Sequence, residues 1–102
     1  MTVDFNELDT LVHGPLRLGI LTALQIDGAT DFTTIKRRLA QSDGLIGSHL
    51  MKLEQAGYIT SDKQFVARRP KTIYRITPVG RKALRAYLAA MQEVIDAVKG
   101  SQ

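Results

Sequence analysis

Three cations lie close together in the second half of the chain, where Arg68, Arg69 and Lys71 occur within four residues. Pro70 stands among them and stiffens the backbone, because its ring fixes the φ angle. A stiff loop with three positive charges suits a rail of phosphates or the minor groove of a nucleic acid. A solvated charged turn is the alternative interpretation, since charged turns are common on protein surfaces.

The charge of the whole chain is also unevenly distributed. The chain has 14 Lys and Arg against 10 Asp and Glu, a net charge of +4. Residues 36–85 hold twelve of the bases and three of the acids, which gives +9, and the remainder holds two bases and seven acids, which gives −5. This segregation favours an anionic polymer as partner, because each neutralised phosphate releases counterions. A solvated basic face is again the alternative.

Catalytic and metal-binding chemistry is not indicated by the sequence. The chain has no cysteine, which excludes disulfides, thiolate chemistry and cysteine-based metal sites. His13 and His49 lack the spacing of a metal-binding pair. We expect His49 to hydrogen-bond across a helical interface or to approach a phosphate. The acids are scattered and form no candidate pair for acid–base catalysis. We therefore predict no enzyme activity, no metal site and no cofactor.

The length and the amino-terminal residues indicate one domain and no membrane segment. A chain of 102 residues, 44% of them hydrophobic, matches a single domain over residues 1–102. Its amino terminus carries acids where a signal peptide carries bases, and no apolar run approaches the roughly 20 residues of a membrane span. We expect a soluble protein, no membrane partner and a cytoplasmic location.

Three short helices are predicted in the first forty residues. Apolar residues at three- and four-residue spacing predict a helix over Phe5–Val12. Pro15 opens a second helix, almost wholly apolar and therefore central, which ends at Asp27-Gly28. Asp31 is placed to cap a third helix with a basic outer side.

Ser42 follows this third helix at once and caps the next one, so the pair has helix-turn-helix spacing. In the fourth helix, over about 43–56, Ile46, Leu50 and Leu53 fall at i, i+4 and i+7 and face inward. The opposite side is small and polar apart from Met51, so it can enter a major groove about 12 Å wide.

The second half of the chain changes to strands and then to a long helix. Strand-like residues from Tyr58 to Val66 and from Thr72 to Ile76 predict a β-hairpin with the basic tip at 67–71. Thr77-Pro78 starts a helix over about 78–99, and Gly100 ends it. The predicted fold is mainly α with a small β-hairpin.

The last helix repeats apolar residues at steps of four and three over two heptads. The stretch after Leu88 extends beyond any element left to cover it, so a partner chain is the simpler cover. A helix folded back on its own core is the alternative. The residues predicted to form a homodimer are Leu84, Tyr87, Leu88, Met91, Val94, Ile95 and Val98.

Three runs carry a resemblance to a known group of proteins: SDGLIGSHLMKLEQAGYI (42–59), KQFVARRPKTIYRITPVGRKAL (63–84) and LVHGPLRLGILTAL (11–24). Together with the order of elements, they resemble the winged helix-turn-helix regulators related to the MarR and ArsR families. The resemblance implies a winged-helix fold with a long carboxy-terminal dimerisation helix. It also implies that the helix at 43–56 lies in the major groove, and that Arg68, Arg69 and Lys71 in the wing reach phosphates, with Thr72 as a hydroxyl partner.

The first helix of such a pair crosses the phosphates, so Thr33 and Thr34 are candidates there, although either can be only a cap. Lys52 is better placed for a phosphate than for a base. Relatives often carry a polar residue, such as Asn, in place of Leu45 and Ser in place of Gly47. Leu45 could contact a thymine methyl group or face the interior, and in the second case specificity would rest on the wing and on DNA shape. The other predicted contact residues are Ser42, Gly44 and Ser48.

The sequence thus predicts a homodimeric transcriptional regulator that binds double-stranded DNA sequence-specifically, at a palindromic site. Repression is expected, because a bound dimer blocks by occupancy and the chain has little material for recruiting polymerase. A small-molecule effector between the first helices and the last helix is left open. The alternative function is a winged-helix module that docks an acidic protein and has no specific DNA site.

Overall fold

The computed structural model describes residues 3–5 and 8–101. Within them the chain forms four helices and a three-stranded antiparallel sheet in the order β1-β3-β2. The elements are α1 (Pro15–Asp27), β1 (Thr30–Asp31), α2 (Phe32–Leu39), α3 (Asp43–Gln55), β2 (Ile59–Val66), β3 (Arg69–Ile76) and α4 (Pro78–Gly100). The predicted fold, mainly α with a small hairpin and a long last helix, is confirmed.

Helix α1 forms the centre of the core, as its apolar sequence predicts. Pro15 occupies its first turn, and Gly28 ends it with a φ of 79° that glycine adopts without strain. Ile20, Leu21 and Leu24 are at most 1% exposed. At about 25 cal/mol per Å² of apolar area, each such side chain stabilises the fold by about 1.5–3 kcal/mol.

Helices α2 and α3 meet across a short turn. Ala40 ends α2 in the left-handed region with a φ of 53°, and Ser42 caps α3 by accepting a hydrogen bond from the Leu45 amide at 3.3 Å. Lys36 of α2 and Asp43 of α3 form an ion pair at 2.5 Å across this turn. The cap that the sequence predicts therefore fixes where α3 begins.

The hairpin differs from the prediction at its tip. Its turn consists of Ala67 and Arg68 alone, with φ angles of 52° and 66°, as a two-residue type I′ turn requires. Residues 69–71, predicted as loop, belong to β3. Pro70 is tolerated there because β1 pairs only with Ile73 and Tyr74, so the missing amide breaks no bond on that side of β3.

At the amino-terminal side, one prediction is corrected and one element was missed. Of the predicted helix over Phe5–Val12, residues 6 and 7 lie outside the described residues, and residues 8–13 form turns instead of a helix. Asp9 replaces the helical pattern, because its Oδ1 accepts hydrogen bonds from the amides of Leu11 (2.8 Å) and Val12 (3.3 Å). Strand β1 was not predicted.

Helix α4 begins where the sequence places it and ends one residue later, at Gly100. Thr77 caps it by accepting a hydrogen bond from the Gly80 amide at 3.0 Å. The base of the hairpin is closed beside this cap, where the Thr77 amide donates to the Tyr58 carbonyl at 3.0 Å. Thr77 Oγ1 also donates to the Gly57 carbonyl at 2.6 Å. None of the helices in the described ranges is long and apolar enough to cross a membrane.

Candidate nucleic-acid interface

Helix α3 presents one apolar side to the core and one small, polar side to solvent. Ile46, Leu50 and Leu53 are at most 1% exposed, as predicted. A methyl group added at Gly44 or Gly47 would meet no atom within 4 Å outside the helix. The exposed side is therefore open enough for close approach of a large partner. The predicted contact residues Ser42, Gly44, Leu45, Ser48 and Lys52 are all exposed, and Gly47 is half-buried.

Leu45 and Met51 are the large apolar residues on the outer part of α3. Leu45 is 41% exposed and Met51 is 60% exposed. Leu45 therefore does not pack fully into the core, so its side chain remains accessible to a thymine methyl group.

The two threonines of α2 have different surroundings. Thr33 is exposed and Thr34 is half-buried. A hydrogen bond with the Thr34 side chain is the main cause that holds the pKa of the Asp31 carboxyl below its ordinary value, with Lys71 adding an attractive charge. Thr33, the more exposed of the two, is the better candidate for contact with a phosphate.

The hairpin separates the predicted wing residues onto two faces. Side chains alternate along a strand, so Arg69 and Lys71 share one face of β3 and Thr72 lies on the other. Thr72 is directly opposite Lys63 of β2, a cation that is not among the predicted contact residues. Arg68 lies in the turn and is exposed. The hairpin therefore carries cations on both faces and at its tip.

Helix α3 and the hairpin border a shared concave surface. An open cavity of about 450 Å³ lies between them and is lined by Gly47, Leu50, Met51, Glu54, Gln55 and Tyr74. Ser61 of β2 donates to the Glu54 carboxylate at 3.1 Å, which fixes the hairpin against the end of α3. Burial, and then the negative charge of Glu54, raise the pKa of Tyr74.

A layer of hydrogen bonds behind α3 ties it to the rest of the molecule. Arg17 of α1 bonds to His49 of α3 at 3.1 Å and donates through Nε to the Leu11 carbonyl at 2.5 Å. Burial is the main cause that lowers the pKa of His49, followed by the charges of Arg17 and Lys52. His49 therefore bonds across a helical interface, one of the two roles expected for it.

The same layer includes the last helix. His13 Nδ1 and the Tyr87 hydroxyl are 2.8 Å apart, and their rings are tilted at 51° with centroids separated by 5.7 Å.

The residues described hold no group of three or more acidic or histidine side chains suited to a metal ion.

The predicted dimerisation residues divide between the protomer's own core and its surface. Leu84 and Tyr87 are 4% and 3% exposed and pack into the core, so a partner chain cannot cover them. Met91 and Val94 are half-buried. Leu88, Ile95 and Val98 are 48%, 39% and 57% exposed. Among the buried residues of α4, none comes after Ala90. The last turns of this helix thus leave the core.

Two residues near the hairpin tip, Lys63 and Phe65, are not among the predicted contact residues. Phe65 is 79% exposed. The alternation of side chains in β2 places both of them on the face that carries Thr72 and Tyr74 across the pair. The correct strand register would have identified them, but the predicted loop at 67–71 concealed that register.

Comparison with known proteins agrees with this architecture. An uncharacterized protein of Methanocaldococcus jannaschii is 36% identical over 78 residues, which cover 76% of this chain and 85% of that protein. A transcriptional regulator of Mycobacterium tuberculosis is 36% identical over 61 residues, 60% of this chain and 57% of that protein.

Solved structures show the same fold. A transcriptional regulator homologue from Pyrococcus horikoshii superimposes with a TM-score of 0.83 at 29% identity, covering 91% of this chain and 93% of that one. A MarR-family regulator from Enterococcus faecalis gives a TM-score of 0.74 at 21% identity, covering 100% and 97%, and shows the fold alone.

The model of the winged helix DNA-binding domain matches residues 16–95, which include α2, α3, the hairpin and most of α1 and α4. Proteins of this kind are DNA-binding regulators and not enzymes. With most of its length matched, the chain belongs to the winged helix DNA-binding domain family.

Proposed function

We propose that this protein is a homodimeric transcriptional regulator, acting as a repressor, that binds a palindromic site in double-stranded DNA. The observation that carries the proposal is the exposed, small-residue side of α3 next to a hairpin with cations on both faces. Helix α3 enters the major groove, where Leu45 and Ser48 meet base edges and Ser42 and Lys52 meet phosphates. Thr33 of α2 contacts the adjacent backbone.

The hairpin supplies the contacts outside the major groove. Arg68 lies at the turn, and Arg69 and Lys71 share one face of β3, so together they reach phosphates or the minor groove beside α3. Such contacts add affinity without reading sequence, which places discrimination on α3 and on the shape of the DNA.

The dimer forms through the exposed apolar residues of α4, Leu88, Ile95 and Val98, together with half-buried Met91 and Val94. Two copies related by a two-fold axis place their α3 helices in successive major grooves about 34 Å apart. Bound in this way, the dimer represses by occupying the site. A cytoplasmic location accords with this function.

Binding of fluorescent duplex DNA as a function of salt tests the proposal. The wild type is expected to bind with a steep salt dependence, and Arg68→Ala is expected to bind more weakly, with a slope reduced by about one. Lys99→Ala, which removes an exposed cation in the last turn of α4, is the matched control and keeps the wild-type slope. A wild type that ignores duplex DNA at low salt contradicts the proposal and favours an acidic protein as partner.

A further inference from the structure

The far end of the hairpin carries an aromatic side chain that lies almost entirely in solvent. Phe65 is 79% exposed, the highest value among the large hydrophobic residues of the described chain. It lies directly opposite Pro70 in the β2–β3 pair, and Pro70 is exposed as well. Two apolar rings therefore form one patch next to the Ala67-Arg68 turn.

This patch lies on the hairpin face that turns toward α3. Because side chains alternate along β2, Phe65 shares a face with Ser61 and Ile59. Ile59 is buried in the core, and Ser61 bonds to Glu54 of α3. Tyr74, the cross-strand partner of Ser61, lines the cavity beside α3. A large molecule that covers this side of α3 and extends along the hairpin to its tip also meets Phe65.

The length of the strand sets how far Phe65 stands from the core. Phe65 lies six residues beyond Ile59, which is about 20 Å at roughly 3.3 Å per residue. When α3 occupies a major groove, the adjacent minor groove is about half a helical turn away, or roughly 17 Å. The reach of the hairpin matches this separation.

The charges around the patch match the edges of a minor groove. Residues 63–75 contain five bases and no acid. A minor groove has phosphates along both rims, with sugar carbons and base edges between them, so it fits an apolar ring flanked by cations. An anionic membrane also fits the charge, but it offers no counterpart for the small, polar side of α3 on the same side of the hairpin.

We propose that Phe65 is an apolar wedge that enters the minor groove adjacent to the major groove occupied by α3. There it partly unstacks a base step and bends the duplex. The proposal rests on the proposed DNA-binding function and adds a deformation of the DNA to it. Recognition then depends on how easily the sequence under the wedge unstacks, which favours flexible pyrimidine–purine steps. This provides discrimination at a position that no hydrogen bond contacts.

The test uses a duplex that the full-length wild type selects from a random-sequence pool. One set of duplexes carries the fluorescent base 2-aminopurine at successive positions, and another carries a donor and an acceptor at its two ends. Wild-type protein is expected to raise 2-aminopurine emission at one step in each half-site and to shorten the end-to-end distance.

Three variants separate a wedge from a general surface effect. Phe65→Ala is expected to abolish both signals and to weaken binding roughly tenfold, near the lower end of a base–aromatic contact. Its salt slope stays that of the wild type, because no charge is removed. Phe65→Leu keeps an apolar wedge and restores part of both signals. Ile26→Ala, at a 73% exposed position on α1, is the matched control and behaves as the wild type.

The outcomes distinguish this inference from the proposed function. A wild type that binds the duplex without bending or unstacking it overturns the wedge and leaves the proposed function standing. A Phe65→Ala variant that bends the duplex as the wild type does also overturns the wedge. Binding of both proteins to anionic lipid vesicles is measured alongside, and a loss of vesicle binding in this variant would then assign the patch to a membrane. A wild type that binds no duplex at low salt removes both proposals.

Discussion

At the scale of single residues, the junction between the hairpin and α4 depends on the absence of one side chain. Gly80 is buried, and a methyl group added there would lie 2.1 Å from the Tyr58 carbonyl oxygen and 2.9 Å from Ile76 Cγ1. The first of these atoms belongs to the backbone, so it cannot move aside without shifting the base of the hairpin.

Gly80→Ala is therefore expected to lower the free energy of unfolding by about 1–3 kcal/mol, the usual cost of overpacking. Chemical denaturation monitored by circular dichroism measures it. Gly100→Ala, near the end of the same helix, where an added methyl meets nothing within 4 Å, is the control. Equal stability of the two variants would show that the hairpin base yields easily.

The lowered pKa of His49 makes the stability of the fold depend on pH. Burial, Arg17 and Lys52 lower its pKa below the ordinary 6.5, so the folded state binds a proton less readily than the unfolded chain. The unfolded state then gains the proton first on acidification, and stability falls as the pH drops below about 6.5 toward the lowered value.

Melting temperatures at pH 7 and pH 5 test this expectation, with the wild type losing more stability between them than His49→Gln, which cannot be protonated. The low pKa of Asp31 acts in a separate window, because that contribution is lost only as the pH falls below about 3.8. Identical pH profiles of wild type and His49→Gln would contradict a lowered pKa of His49 in the folded state.

At the scale of elements, residues 8–13 act as a clasp over the core. Asp9 Oδ2 accepts a hydrogen bond from the Tyr58 hydroxyl at 2.5 Å, and the same aspartate holds the turn through which Val12 reaches full burial. The clasp thus joins the amino-terminal segment to Tyr58, the residue just before the hairpin.

The hydrogen bond to Asp9 is the main cause that raises the pKa of Tyr58 to about 12, and burial and the Asp9 charge add to it. The stabilising contribution is complete below pH 10 and is lost as the pH rises from 10 toward 12. In an absorbance titration at alkaline pH, Tyr58→Phe should remove the last phenol to ionise. It should also speed amide exchange at Leu11 and Val12, and a Tyr58 that ionises near pH 10 would contradict this.

Three helix starts were predictable from local signatures in the sequence. Ser42, Thr77 and Pro15 start helices at the predicted positions, and the buried side of α3 follows from its spacing alone. Strand β1 has two residues and no period to detect, and it exists only because β3 lies beside it. The turn was predicted too long because Pro70 is a common loop residue, and its tolerance in β3 depends on a strand partner that ends earlier.

The candidate site was predictable in composition but not in arrangement. The sequence selected the exposed residues of α3 and the cations of the hairpin, but it could not assign Arg69 and Thr72 to opposite faces without the register. The apolar stripe of α4 was found as one set, although Leu84 and Tyr87 serve the protomer's own core. Periodicity shows that a side is apolar and does not show which chain covers it.

At the scale of the whole molecule, the proposed homodimer depends on the exposed apolar residues of α4. Ile95→Asp would place a carboxylate in the proposed dimer contact, where its desolvation is unfavourable, so dimerisation should weaken at least about tenfold. Analytical ultracentrifugation measures this. Ala89→Asp, an exposed position on the other side of α4, is the control and should stay dimeric. A wild type that is monomeric at all concentrations contradicts the proposed assembly.

The hairpin is anchored at its base and free at its tip. Thr77 bonds to Tyr58 and Gly57 at the base, and the two strands pair with each other as far as Val66 and Arg69 beside the turn, so the hairpin bends as one unit and deflection grows toward Arg68. Removing one residue from each strand would turn every outer side chain to the opposite face, whereas removing two would preserve the faces and retract the tip by about 7 Å. The hairpin can therefore change its length without exchanging its faces only in steps of two residues. Its length sets how far from α3 the hairpin tip contacts the DNA.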